Sequence, residues 1–178
     1  MPALFLDRDG VINRNHGYVF TSSNFEFFPE IFDICRIAQE LSMPIVVVTN
    51  QSGIGRGYFS EQDFQTLTKW MISEFEKQKI HISMVLHASD NPEFHSNSQR
   101  RKPSPSMILE AAEKLGINLT DSILIGDSET DIIAADRAGI KHTILIAAHP
   151  VSSVASILVE NHHQCANVVA KLVRKNSE

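Results

Sequence analysis

The chain has 178 residues, 43% of them apolar and 21% charged, which suits one ordinary globular domain spanning residues 1–178. A formal charge of −5 gives no electrostatic footprint for nucleic acid and no polybasic patch for a membrane, and no apolar stretch reaches bilayer-spanning length. Two cysteines, Cys35 and Cys165, make no disulfide framework, so a soluble protein of a reducing, cytoplasmic compartment is expected.

The first element is an apolar run, Ala3–Asp7, that reads as a buried strand and is interrupted by Asp7 too early for a targeting segment. It runs into Asp7-Arg8-Asp9-Gly10, where side chains two apart on an extended strand share a face and Gly10 lets the chain turn away. An irregular stretch, Val11–Phe28, follows. The spacing of Ile31, Ile34, Ile37, Ala38 and Leu41 predicts a helix over Pro29–Leu41, with Cys35 on its apolar stripe. A strand at Pro44–Thr49 leads to a second helix over Ser60–Lys79, capped by Ser60 with Asp63 three residues on. Then come a strand at Ser83–His87, an irregular stretch at Ser89–Arg101, and a helix at Ser104–Leu115 with Pro105 first and Gly116 past its end. A strand at Ser122–Gly126, a helix at Glu129–Ala138 ended by Gly139, a strand at His142–Ile146 and a tail helix at Cys165–Arg174 complete the chain. Alternating strands and helices imply an α/β fold, a parallel sheet wound with helices on both faces.

Ligands of such sheets lie beyond the carboxyl ends of the strands, where strand order reverses. The predicted strand ends carry Asp7 and Asp9, then Thr49-Asn50-Gln51-Ser52, then Asp127 and Asp131, with Arg101-Lys102 just before a helix. Each group has an ordinary reading: an Asp-Gly turn, a β-branched strand residue, an acidic first helical turn, a solvated basic pair. Their coincidence at successive strand ends points instead to phosphoryl transfer, which needs a carboxylate nucleophile, a proton donor, a site for Mg²⁺ and cations for phosphoryl oxygens.

This order of Asp-X-Asp, Thr, Lys and Gly-Asp-x-x-x-Asp resembles the haloacid dehalogenase superfamily, whose Rossmann-like sheet agrees with the strand pattern. Four segments narrow the resemblance: Asp7–Asn13, His16-Gly17-Tyr18-Val19, Asn24–Phe27 and Val48–Gly57 are similar to the D-glycero-D-manno-heptose 1,7-bisphosphate 7-phosphatases. The resemblance covers most of residues 3 to 146. It implies hydrolysis of a small phosphorylated sugar in heptose-nucleotide and lipopolysaccharide precursor synthesis. Asp7 is implied as nucleophile, Asp9 as acid and base, and Thr49 and Lys102 as holders of the phosphoryl oxygens. Mg²⁺ would sit on Asp7, the Asp9 backbone carbonyl and Asp127, with Asp131 orienting the site from behind. Asn15, His16, Gly17, Tyr18, Asn50, Gln51, Ser52, Arg101 and Ser128 fall on substrate positions.

Three departures stand out. Asn15 replaces an Asp often found there, and Ser128 stands where those enzymes commonly have Lys. The segment His87–Arg100 lacks the cysteines of the structural zinc loop, so zinc is not expected; His87, Asp90 and His95 are the conceivable substitute ligands. A polar loop with Phe94 as its one large apolar residue is expected to be mobile and to close on substrate through Arg101. Histidinol-phosphate and polynucleotide 3′-phosphatases are the alternative readings; against the latter stand the acidic net charge of this chain and its want of interleaved basic and aromatic residues. A monomer with no nucleic-acid or membrane partner is expected.

Overall fold

The computed structural model describes residues 1–175. Its centre is a six-stranded, all-parallel sheet in the order β3-β2-β1-β4-β5-β6. The strands are β1 (Leu4–Leu6), β2 (Ile45–Asn50), β3 (Met84–Ala88), β4 (Ile123–Gly126), β5 (His142–Ile146) and β6 (Ile157–Val159). The helices are α1 (Glu30–Glu40), the one-turn α2 (Ser52–Gly55), α3 (Glu61–Lys77), α4 (Ser106–Leu115), α5 (Glu129–Ala138) and α6 (His162–Lys175).

Strand alternation sorts the core into two layers. Leu4, Leu6, Ile45, Val47, Ile123, Ile125 and Ile144 face α1, α3 and α6, meeting Ile31, Ile34, Met71, Phe75, Cys165 and Val169. Phe5, Val46, Val48, Leu124 and Leu145 point the other way, against Met107, Ile108 and Ala111 of α4 and Ile132 and Ala135 of α5. The central strands β1, β2 and β4 are therefore apolar on both faces up to their carboxyl ends, where β2 turns polar at Thr49 and Asn50, as the expected winding on both faces requires. From β1 the chain moves outward through β2 to β3, then crosses back to β4 on the other flank. This reversal opens a crevice at the carboxyl ends of β1 and β4.

Helix ends follow local chemistry. Ser60 caps α3 in a reciprocal box: its hydroxyl accepts from the Asp63 N–H at 3.1 Å, and Asp63 Oδ2 accepts from the Ser60 N–H at 2.7 Å. Gly116 and Gly139 close α4 and α5 with φ of +64° and +92°. Several boundaries differ from the sequence pattern. The α4 ladder starts with Leu109 N–H on Pro105 O, so Pro105 stands before the helix, and the Ser104 hydroxyl donates to Gln99 O while accepting from Ser106 N–H at 3.3 Å. Leu41, expected on the buried stripe of α1, lies past its end and is exposed. β3 is half-exposed because it is the sheet edge, not a strand covered on both sides. β6 was not anticipated; its three-residue run is too short for a periodic signal, and it is set by pairing with β5.

The stretch 11–28 is irregular yet well packed. Bridges join Asn13 to Asp9 and to Phe27, Phe28 N–H donates to Ile12 O, and Val11, Ile12, Val19 and Phe25 are buried. This flap lies beside the crevice and carries residues 15–18 to its rim.

Candidate active site

The crevice is a cavity of about 380 Å³ lined by residues from the ends of β1, β2 and β4, from the flap and from the segment before α4. Asp7 follows β1, its N–H donating to Ile125 O across the sheet at 3.1 Å. Lys102 lies over the strand ends and is 3% exposed. Its ammonium donates to Asp7 Oδ1 and to Val48 O, both at 2.8 Å, and pairs with Asp131 Oδ1 at 2.6 Å. Asn50 fixes the Lys102 backbone from both sides, accepting from its N–H at 3.0 Å and donating to its carbonyl at 3.1 Å.

Asp127 enters from β4, and the chain can pass in front of it only because residue 10 is glycine. Gly10 has φ +91°, and a β-carbon there would lie 1.9 Å from Asp127 Oδ2. Asp131 sits in the first turn of α5, where its Oδ2 accepts from the N–H groups of Asp127 and Ser128 and from the Ser128 hydroxyl. Asp7, Asp127 and Asp131 offer oxygens within 4.8 Å of one another.

Crowding sets the electrostatics. Burial, then Asp131 and Asp127, push Asp7 well above the usual carboxylate range, against the pull of Lys102. Burial and Asp131 also raise Asp127 to about 6. Burial disfavours the Lys102 charge, but Asp7 and Asp131 outweigh it and hold the ammonium above its ordinary value. Facing three carboxylates, one buried ammonium leaves excess negative charge, and these hard oxygen donors suit a divalent cation such as Mg²⁺.

Asp9 occupies the same face as Asp7. Its Oδ1 accepts from Arg8 Nη2 at 3.1 Å and Asn13 Nδ2 at 3.0 Å; its Oδ2 accepts from Arg8 Nη2 and Gln51 Nε2, both at 2.9 Å. Gln51 Nε2 also donates to Thr49 Oγ1 at 2.9 Å, joining the ends of β1 and β2.

The rim is built differently. The Asn15 carboxamide oxygen accepts from Gly17 N–H at 3.0 Å, folding residues 15–17 into a turn. Tyr18 follows with φ +51°, a left-handed conformation unfavourable for an aromatic residue, and packs edge-on against Tyr58 at 4.8 Å. Arg101 lines the wall opposite; its Nη1 is buried and has no hydrogen-bond partner among the described residues. Burial, then Arg56, disfavours the Arg101 charge, so an anion in the cavity would relieve it.

Of the expected site residues, Asp7, Asp9, Asn15, Gly17, Tyr18, Thr49, Asn50, Gln51, Ser52, Arg101, Lys102, Asp127 and Ser128 all line this cavity. His16 does not. It stands outside, half-exposed, with Nε2 3.5 Å from Glu26 Oε2, because the turn after Asn15 points it away. The sequence pattern gave no role to Arg8, Asn13 or Thr130. Arg8 is the middle residue of the Asp-X-Asp run and Asn13 lies four residues beyond Asp9, and neither position carries a periodic signal.

The loop 89–101 is held by polar contacts. Asn91 is buried, Ser98 hydroxyl donates to Asp90, and Arg56 pairs with Glu93 at 2.6 Å. Arg100 ties the loop down: its guanidinium donates to His87 O and Glu110, both at 2.7 Å. Phe94, expected as the apolar anchor, is exposed. His87 pairs with Glu61 at 3.0 Å over Phe64, and His87, Asp90 and His95 do not converge as a metal-sized group among the described residues.

A family model described as HAD-hydrolase-like matches residues 99–170. The D-glycero-alpha-D-manno-heptose-1,7-bisphosphate 7-phosphatase of Burkholderia mallei is 44% identical over 89% of this chain and 88% of its own length. The D-glycero-beta-D-manno-heptose-1,7-bisphosphate 7-phosphatase of Escherichia coli K12 is 39% identical over 82% of this chain and 79% of its own. The crystal structure of a D,D-heptose 1,7-bisphosphate phosphatase from B. bronchiseptica, complexed with magnesium and phosphate, aligns over 98% of this chain and 99% of that one. Its TM-score is 0.84 at 23% identity, which is a likeness of fold.

Proposed function

Because the chain belongs to the D-glycero-D-manno-heptose-1,7-bisphosphate 7-phosphatase family of HAD-like hydrolases, we propose that it hydrolyses the 7-phosphate of that heptose bisphosphate, feeding heptose-nucleotide and lipopolysaccharide precursor synthesis. The observation that carries the reading is the Asp7 carboxylate at the cavity floor, with the Lys102 ammonium 2.8 Å away and Asp9 beside it. Asp7 attacks phosphorus, the bond to the sugar oxygen breaks, and Asp9 gives that oxygen a proton. Asp9 then takes a proton from water as the water attacks the phosphorylated Asp7, releasing phosphate and restoring the carboxylate. Lys102 and Thr49 stabilise charge on the phosphoryl oxygens. Arg101, Asn15, Tyr18, Ser52 and Ser128 surround the rest of the sugar and its second phosphate.

Asp7 and Asp127, with the Asp9 backbone carbonyl, would hold Mg²⁺, which when bound neutralises phosphoryl charge during transfer. Asp131 stays behind them, its oxygens engaged by Lys102 and the start of α5. Zinc has no place in this reading: the 87–101 segment has no cysteine, and His87 and Asp90 have protein partners. Elemental analysis after dialysis is expected to find no stoichiometric zinc. The protein acts as a cytoplasmic monomer, with the described residues forming one phosphatase domain; among them no helix is long and apolar enough to cross a membrane.

The test is phosphate release from a panel of both heptose bisphosphate anomers, histidinol phosphate and a 3′-phosphorylated oligonucleotide. A heptose bisphosphate is expected to lead in kcat/KM, and preference for either other substrate would replace the reading.

A further inference from the structure

Arg8 lies between the two carboxylates of the β1 end but on the opposite side of the backbone, and is 2% exposed. Its guanidinium carbon stands 6.0 Å from the ring centres of both Phe25 and Phe64. Nε and Nη1 are buried and have no hydrogen-bond partner among the described residues. Among the described residues its hydrogen bonds all leave from Nη2: to Asp9 Oδ1 at 3.1 Å, to Asp9 Oδ2 at 2.9 Å and to Val19 O at 2.7 Å.

A buried guanidinium with two idle nitrogens is a poor device for stability, since an apolar side chain would fill an aromatic slot without the desolvation penalty. What the charge supplies is a hold on Asp9. Asn13 and Gln51 are neutral and each reaches one carboxylate oxygen; Arg8 reaches both. The same nitrogen binds the backbone of Val19, next to Tyr18 at the rim, so the carboxylate and the flap share one anchor. Proton transfer from Asp9 demands that its oxygen meet the sugar oxygen within hydrogen-bond reach, and an angstrom of misplacement is costly.

We infer that Arg8 is a positioning residue: it fixes the Asp9 carboxyl for proton transfer to the leaving sugar oxygen, in register with the substrate-facing flap. The inference rests on the reading of Asp9 as acid and base. In the first step the phosphorus–oxygen bond to the sugar breaks, its electron pair goes to the sugar oxygen, and the Asp9 proton goes to that oxygen. Arg8 exchanges no proton and touches no reacting atom.

Leaving-group selectivity tests this, because a p-nitrophenolate departs without a proton while a sugar alkoxide does not. Single-turnover rates, with enzyme in excess and Mg²⁺ present, report the first transfer for heptose 1,7-bisphosphate and for p-nitrophenyl phosphate. Arg8→Met is expected to slow the sugar reaction about 10- to 100-fold, with half-saturation little changed, and to leave p-nitrophenolate release within about threefold. Arg8→Lys, which keeps the charge, should recover part of the loss. If Arg8→Met does not fold, the rate ratio is read on Arg8→Lys, where selective slowing supports the inference. Equal slowing of both substrates, or no slowing, overturns it. Asp9→Asn is run alongside. If Asp9→Asn is also unselective, the acid–base reading falls and this inference with it; if Asp9→Asn is selective and the Arg8 variants are not, only the inference falls.

Discussion

The floor and the rim of this cavity are built on opposite principles. At the floor Asp7, Lys102 and Asp131 are buried and interlocked, each charge answered within 2.6 to 2.8 Å. At the rim Arg101 keeps a buried nitrogen without a partner, Tyr18 holds a strained left-handed turn, and Arg56 adds repulsion. The floor is held in place without substrate, as preorganised charge stabilisation requires, and its excess of carboxylates over cations leaves room for a divalent cation. The rim is unsatisfied without an anion. Chemistry therefore resides in the strand ends, and substrate choice in the flap and the loop before α4.

The sharpest break of that division is at the floor. Asp7→Asn is expected to abolish Mg²⁺-dependent phosphate release, since an amide neither attacks phosphorus nor supplies a full charge. Turnover within a few-fold of wild type would remove the covalent mechanism. Lys102→Met comes next. It should cut kcat by at least about 100-fold and, by leaving buried carboxylates unanswered, destabilise the protein by about 3–5 kcal/mol, read by denaturant unfolding. Wild-type stability in that variant would mean the floor is not interlocked as described.

The rim should respond in substrate affinity and not in folding. Arg101→Ala is expected to lower kcat/KM about 10- to 100-fold, chiefly through KM, with Tm unchanged. Arg100→Ala should do the reverse, loosening the loop from β3 and α4 with a smaller kinetic effect. If Arg100→Ala is crippled in KM and Arg101→Ala is not, the roles of these neighbours are exchanged.

The smallest effect is on pH. Asp127 has a folded pKa raised from 3.8 to about 6, so between those values the native protein binds more protons than the unfolded one. Metal-free stability should then fall as pH rises from about 4 to about 6, and added Mg²⁺ should raise Tm more at pH 7.5 than at pH 5. Equal metal stabilisation at both values would separate Asp127 from the cation site.

The floor was legible in the sequence because its residues sit at the ends of strands with strong apolar patterns. Asp7, Asp9, Thr49 and Asp127 are each within a few residues of a readable boundary. Lys102 was legible only through the family resemblance, since a basic pair before a helix has no periodic signature. The rim was less legible. His16 sits among substrate-facing neighbours in sequence, yet the Asn15 turn directs it outward, and a turn's direction depends on one backbone angle that no pattern encodes. The loop 89–101 misled in the same way: its ties are Asn91, Arg100 and Ser98, whereas apolar content pointed to Phe94. Arg8 was hidden because a buried arginine reads as exposed unless the rings around it are known.

The most direct measurement is phosphorus NMR of heptose 1,7-bisphosphate turned over by the enzyme with Mg²⁺. The 7-phosphate signal should disappear into inorganic phosphate while the anomeric 1-phosphate persists. Loss of the 1-phosphate, or no release from either position, would contradict the account.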